Sequence, residues 1–65
     1  MYCLLITDGL ADVPREIWIY TTYQSAEQRG FELIKDWPNN EKEGFSRDGI
    51  ASSEDFNIYI VQTEN

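Results

Sequence analysis

The sequence predicts an α+β domain of β-β-α-β order: a three-stranded sheet with one main helix packed on one face, and room for a short extra helix. Three observations carry that expectation. Two runs of β-branched and aromatic residues stand on either side of a turn-forming segment near the start of the chain. One central stretch has apolar residues at helical spacing. A third β-prone run lies near the end.

Tyr2 to Thr7 is apolar and β-prone, and Asp8-Gly9 closes it with a turn signal. Leu10 to Pro14 reads as a loop. Glu16 to Thr22, through Ile17-Trp18-Ile19-Tyr20, reads as the second strand, antiparallel to the first across a connection of ordinary length. The helix follows. Ser25 and Gln28 have capping-box spacing, and Thr22 offers an earlier cap. On a helical wheel Ala26, Gly30, Leu33, Ile34 and Trp37 form one stripe, with Phe31 on its flank. Glycine costs about 1 kcal/mol in a helix interior relative to alanine, so Gly30 on the buried stripe implies close approach of the helix to its neighbour. Pro38-Asn39-Asn40 ends the helix, because the residue before proline is pushed out of the helical region.

Asn39 to Asp55 is polar, with Phe45 and Ile50 as its anchors and a short helical turn expected over Ser46 to Ser53. Phe56 to Gln62 is the third strand, and Thr63-Glu64-Asn65 is expected to fray. A right-handed parallel crossover from the second strand to the third places the first strand between them. An antiparallel meander with the third strand on the other edge is the alternative.

Sixty-five residues suit one small domain spanning 1–65. Such a chain buries only about 60% of its unfolded surface. A single Cys forbids an internal disulfide, and without His or a Cys pair a structural zinc site is out. The core therefore falls to large apolar side chains: Tyr2, Trp18, Tyr20, Tyr23, Phe31, Trp37, Phe45, Phe56 and Tyr59. Cys3, inside an apolar run with no cationic neighbour, reads as a buried small hydrophobe rather than a reactive thiol. One unpaired Cys fits a reducing cytoplasm. The first apolar stretch is five residues long with no basic region before it, so it is neither a signal peptide nor a membrane span.

Twelve Asp and Glu stand against five Lys and Arg, for a net charge of -7. Self-repulsion works against a compact state, and the same field attracts basic partners. Glu32 and Asp36 sit four apart on the outward side of the expected helix, about 6 Å along its axis. Like charges at that spacing cost about 0.2–0.5 kcal/mol, and Asp36 falls in the last turn, where the macrodipole prefers cations. Arg29 and Lys35 offset part of this. The bland explanation is a solvated helix face. The sharper one is a carboxylate array that imitates nucleic-acid phosphates, which follow one another at about 3.4 Å along each strand of a duplex. Glu16, Glu41, Glu43, Asp48, Glu54 and Asp55 extend the array if the fold brings them to one face or rim.

Other chemistries find little support. Asp8-Gly9, Asp48-Gly49 and Glu54-Asp55 put oxygen ligands near turns, but the twelve-position pattern of a calcium-binding loop is missing. Nothing fixes two acids across a cleft for glycoside hydrolysis. Without His, a Ser or Cys nucleophile lacks its usual base. No cofactor motif occurs, and the chain reads as non-enzymatic. Trp18, Tyr20 and Tyr59 could stack on bases, yet the net charge repels phosphate, so direct nucleic-acid binding is not expected. One aromatic row is expected in the core and the other over the open sheet face.

The chain also resembles the small acidic inhibitors that phages make against bacterial defence systems, and among them the anti-CRISPR proteins that act on type I systems, type I-C included. The resemblance is one of character over the whole chain: the Cys3-Leu4-Leu5-Ile6-Thr7-Asp8-Gly9 opening, the Ile17-Trp18-Ile19-Tyr20-Thr21-Thr22-Tyr23 strand and the Ala26-Glu27-Gln28-Arg29-Gly30-Phe31-Glu32-Leu33 helix. No shared motif carries it, so no family residue is transferred by position. It implies an inhibitor that binds the basic, duplex-reading surface of a CRISPR surveillance complex in the bacterial cytoplasm and blocks target DNA. The competing expectation is a small protein-binding or regulatory, antitoxin-like module that uses the aromatic sheet face. Net charge this far from zero favours a monomer.

Overall fold

The computed structural model describes residues 1–63. Its elements are β1 (Tyr2–Asp8), β2 (Pro14–Tyr20), α1 (Tyr23–Leu33), α2 (Asn39–Asp48), β3 (Ile50–Ser52) and β4 (Phe56–Gln62). The α+β class holds. The sheet, however, has four strands rather than three, all antiparallel to their neighbours, in the order β2-β1-β4-β3. β1 sits between β2 and β4, the first of the two orders open to the sequence.

The second helix is the largest departure. Pro38 was expected to end a helix; it stands instead at the N-cap of α2, whose ten residues fill most of the segment expected to be loop. Proline suits a helix start, where its missing N–H leaves nothing unpaired. α2 ends at Gly49, whose φ of 73° is the left-handed conformation that favours glycine; its N–H donates to the Phe45 carbonyl. The expected turn over Ser46 to Ser53 is therefore the end of α2 followed by β3. α1 is shorter than expected. Thr22, not Ser25, is its N-cap and accepts from the Ser25 N–H at 3.1 Å. The helix stops at Leu33, and Ile34 to Trp37 form a turn closed by Trp37 N–H to the Ile34 carbonyl.

Both helices cover one face of the sheet. The core there is Leu4 and Ile6 from β1, Ile58 from β4, Ala51 from β3, Ile34 after α1 and Phe45 from α2. Gly30 explains how the helices fit. A Cβ at Gly30 would lie 2.2 Å from Phe45 Cζ, so only glycine lets the Phe45 ring pack against α1. Phe31 meets the same ring edge-on, with centroids 5.1 Å apart. The core is thus more aliphatic than expected. Phe45 is the one fully buried aromatic side chain among the described residues. Tyr20, Phe31, Trp37 and Phe56 pack around the core's rim, while Trp18 is 44% exposed beneath the Arg29 guanidinium. Cys3 is buried, as its apolar setting suggests. Thr63, expected to fray, donates its N–H to the Met1 carbonyl at 2.9 Å; Glu64 and Asn65 lie outside the described residues.

Candidate interaction surfaces

The pleat sends alternate residues to opposite faces. Strand register assigns Leu4, Ile6, Trp18, Tyr20, Ile58 and Ile60 to the helix side, because residues paired across antiparallel strands share a face. The other face receives Cys3, Leu5 and Thr7 from β1, Ile17 and Ile19 from β2, Ile50 and Ser52 from β3, and Asn57, Tyr59 and Val61 from β4. No helix covers it. Ile17, Ile19, Ile50 and Val61 are 60%, 58%, 48% and 45% exposed. The expected aromatic row over this face is absent: Tyr59 is its one aromatic residue, and the rest is aliphatic or small and polar. None of these strand positions carries a charge.

One corner of the open face is closed by the β1–β2 loop. Asp12, at a φ of 55°, turns its carboxylate back over the sheet. Its Oδ1 accepts from the Thr7 hydroxyl, from Asn57 Nδ2 at 3.3 Å and from the Tyr59 hydroxyl at 3.2 Å. This node explains two buried polar residues, Thr7 and Asn57. A positive φ is uncommon for a residue with a side chain, though Asp tolerates it better than most. The donors, Thr7 first and then Asn57 and Tyr59, hold the Asp12 carboxyl below its ordinary 3.8. Burial, and then the nearby carboxylate, push the Tyr59 phenol above 10.0, so it stays a donor at neutral pH. Asp8 anchors the other side of the loop. It accepts from the Leu10 and Ala11 N–H groups, both at 3.0 Å, and pairs with Arg15 at 3.0 Å. Those two backbone donors, and then Arg15, lower its carboxyl too. Sequence reading placed Asp8 and Asp12 on either side of the first connection but gave Asp12 no structural role. Its role depends on partners 45 and 47 residues away in sequence.

The eight carboxylates singled out from the sequence do not form one patch. Glu41, Glu54 and Asp55 collect at the end of the sheet where β1 stops and β4 starts. The Glu41 carboxylate accepts from the Ser52 N–H at 3.2 Å, and the Asp55 carbonyl accepts from the Gly9 N–H at 3.3 Å. Asp36 lies in the turn after α1, next to Trp37, whose ring lies 4.8 Å from that of Phe56. Glu16 lies on β2 opposite Ile6. Glu32 is on α1, and Glu43 and Asp48 are on α2. The expectation that Glu32 and Asp36 share one helical face is overturned, because α1 ends at Leu33.

Seven of the eight are exposed, and Glu41 is half-buried. Glu32 pairs with Arg29 at 3.0 Å and Asp48 with Arg47 at 3.1 Å. Glu16, Asp36, Glu43, Glu54 and Asp55 make no side-chain hydrogen bond or ion pair among the described residues. All three arginines are spent on neighbouring acids, which leaves Lys35 and Lys42 outside the ion pairs of the described residues. Among those residues no group of three or more His, Cys, Asp or Glu could hold a metal ion. A shallow open groove runs along the outer side of α1, between Gln24, Gln28, Phe31 and Lys35. No helix of the described residues is long and apolar enough to cross a membrane.

No family model, no curated protein and no solved structure matches this chain. The functional reading therefore rests on its own surfaces.

Proposed function

We propose that the chain is a non-enzymatic, acidic inhibitor that binds a basic, nucleic-acid-binding protein in the bacterial cytoplasm and keeps DNA from it by presenting carboxylates where phosphates would bind. The observation that carries this is the set of five exposed carboxylates, Glu16, Asp36, Glu43, Glu54 and Asp55, with no internal partner. Carboxylates that are neither capping a turn nor paired do nothing for the fold. On a chain of net charge -7 they leave a strong outward field. The resemblance to anti-CRISPR inhibitors of type I systems suggests a CRISPR surveillance complex as the partner; the grouping of Glu54 and Asp55 makes the acidic end of the sheet the first contact to test. Glu32, Glu41 and Asp48, each already engaged within the chain, contribute field more than contact.

The test is capture of a type I surveillance complex at low salt, followed by salt elution and competition with duplex DNA. Binding that falls steeply with salt, is displaced by DNA and weakens at least tenfold in a Glu54→Lys/Asp55→Lys variant is the expected result. Surface charges on β3–β4 turn residues are cheap to reverse, so the variant keeps its fold. Binding indifferent to salt, or unchanged in that variant, overturns the proposal.

A partner bound through the bare aliphatic face is the second possibility, favoured by the exposure of Ile17, Ile19, Ile50 and Val61. Such a small regulatory module would hold its partner at high salt and lose it on Ile19→Lys.

A further inference from the structure

We propose that the outer edge of β2 is a docking site for an extended, basic segment of a partner protein, which adds to the sheet as a further strand. The proposal goes beyond the inhibitor reading and does not need it. It rests on how differently the fold treats the two edges of its sheet.

Register fixes which backbone groups point outward. Along an antiparallel pair, hydrogen-bonded and non-bonded residue pairs alternate. The Thr63 N–H donates to the Met1 carbonyl and the Gly9 N–H to the Asp55 carbonyl, just beyond the two ends of the β1–β4 ladder. Cys3, Leu5 and Thr7 therefore bond to β4. Tyr2 and Leu4 turn their backbone groups to β2, where they meet Tyr20 and Trp18. The alternate residues of β2, Ile17 and Ile19, point the other way. β2 ends the sheet, so their N–H and C=O groups meet no strand.

The opposite edge is guarded. The Ile60 N–H donates to the Gly49 carbonyl at 2.8 Å and the Ser53 N–H to the Phe56 carbonyl at 3.0 Å. By the same alternation Ile50 and Ser52 face outward on β3. β3 is only three residues long, and the Glu41 carboxylate from α2 accepts from the outward Ser52 N–H at 3.2 Å. Short strands and charged side chains are common ways to keep foreign strands off an edge. β2 has neither device along its middle. It runs seven residues, Pro14 stands only at its first position, and Ile17, Trp18 and Ile19 are exposed around the free groups.

Charge selects the occupant. Arg15 pairs with Asp8 and Arg29 with Glu32, which leaves Glu16 as the unpaired charge on β2. A second copy would bring another net charge of -7 to this edge, whereas Lys and Arg are drawn to it. Alternation sets the rest of the pattern. Ile17 and Ile19 stand on the open face, and Glu16 and Trp18 on the helix side. A fitting segment has β-branched apolar residues at alternate positions, beside Ile17 and Ile19. Between them it has Lys or Arg, beside Glu16 and Trp18. Main-chain hydrogen bonds hold an added strand, and its alternate side chains decide whether it fits. Opposite charges directly across neighbouring strands strengthen the pairing.

The experiment is amide hydrogen exchange of the full chain, read by NMR, alone and with a Lys-Val-Lys-Val-Lys-Val-Lys peptide as the probe. In the free chain the Ile17 and Ile19 amides should exchange at least tenfold faster than that of Trp18. Saturating peptide should slow both at least tenfold. N-methylation of the peptide's valines, whose N–H groups face the edge in this register, should abolish the slowing. N-methylation of its inner lysines, whose N–H groups point away, should preserve it. The two methylated peptides carry the same charge, so attraction to the acidic end of the sheet treats them alike. Glu16→Lys should weaken peptide binding at least threefold, with the dispersion of the amide spectrum reporting that the variant is folded. Glu54→Lys/Asp55→Lys, which tests the inhibitor reading, should leave the protection in place at saturating peptide.

Amides of Ile17 and Ile19 that do not slow overturn the proposal. Equal slowing by both methylated peptides overturns it as well. So does protection of those amides in the peptide-free chain that grows with its concentration, which would make a second copy the occupant.

Discussion

The two faces of the sheet are made from similar residues and meet opposite fates. Leu4, Ile6 and Ile58 point to the helix side and are almost wholly buried. Ile17, Ile19 and Val61 point the other way and remain about half exposed. Hydrophobicity does not separate the two sets. What separates them is the helical layer, in which Gly30 of α1 receives the ring of Phe45 from α2. Both helices pack on one face and leave the other without a cover. Fold stability and surface function are thereby divided between the faces. The covered side holds the core, and the bare side, with the unpaired carboxylates, is free for contacts.

Removing the ring breaks that division most severely. Phe45→Ala should cost about 3–5 kcal/mol, the usual loss for a fully buried phenylalanine. For a chain this small that is much of the total stability. Urea unfolding followed by circular dichroism measures it, and a cost under about 1 kcal/mol would mean α2 is not tied to the core through this residue.

Gly30→Ala sharpens the same point through its sign. Alanine favours a helix interior by about 1 kcal/mol over glycine. Here the added Cβ would meet Phe45 Cζ at 2.2 Å and Cε2 at 2.6 Å. Overpacking of this kind costs about 1–3 kcal/mol, so the substitution should destabilise on balance. In a Phe45→Ala background the clash is gone and Gly30→Ala should turn neutral or stabilising. A double-mutant cycle gives the coupling directly.

The corner node of the open face should show in acid. Asp8 and Asp12 both titrate below their ordinary 3.8 in the folded chain. A depressed folded-state pKa adds stability that is complete above the unfolded value and is lost as pH falls through the folded one. Stability should therefore decline from about pH 4 downward. Asp12→Asn keeps the tolerance for positive φ but has no carboxylate to titrate. Its stability should fall less steeply over the same pH range, and a slope equal to that of the natural chain would remove Asp12 from the acid response.

The sequence made half of this arrangement legible. β1, β2 and β4 announce themselves through β-branched and aromatic runs, and the Ala26, Gly30, Ile34 stripe does face the core. Gly30 was readable as a point of close approach because glycine on a buried stripe has few other reasons to be there. α2 was not readable. It buries one side chain, Phe45, so it has no apolar period to detect. Asn39, Asn40 and Gly44 look like loop by propensity, and tertiary packing overrides them. β3 is three residues long and presents Ala51, not Ile50, to the core. The acids fared similarly: their number was legible, while their positions depended on where α1 ends and how the β3–β4 turn meets the β1–β2 loop. The Asp12 node joins the β1–β2 region to β4 residues 45 and 47 positions away, and no local pattern could reveal it.

The most direct test of the division between faces compares their stabilities. Unfolding free energies would be measured in urea, at low micromolar concentration to avoid self-association, for Leu4→Ala and for Ile17→Thr/Ile19→Thr. Threonine keeps the β-branched shape that suits a strand. Leu4→Ala should lose about 2–5 kcal/mol. The double threonine variant should stay within about 1 kcal/mol of the natural chain, as exposed substitutions do. If the open-face variant lost as much as the Leu4 variant, that face would be part of the folding core rather than a surface held free for contact.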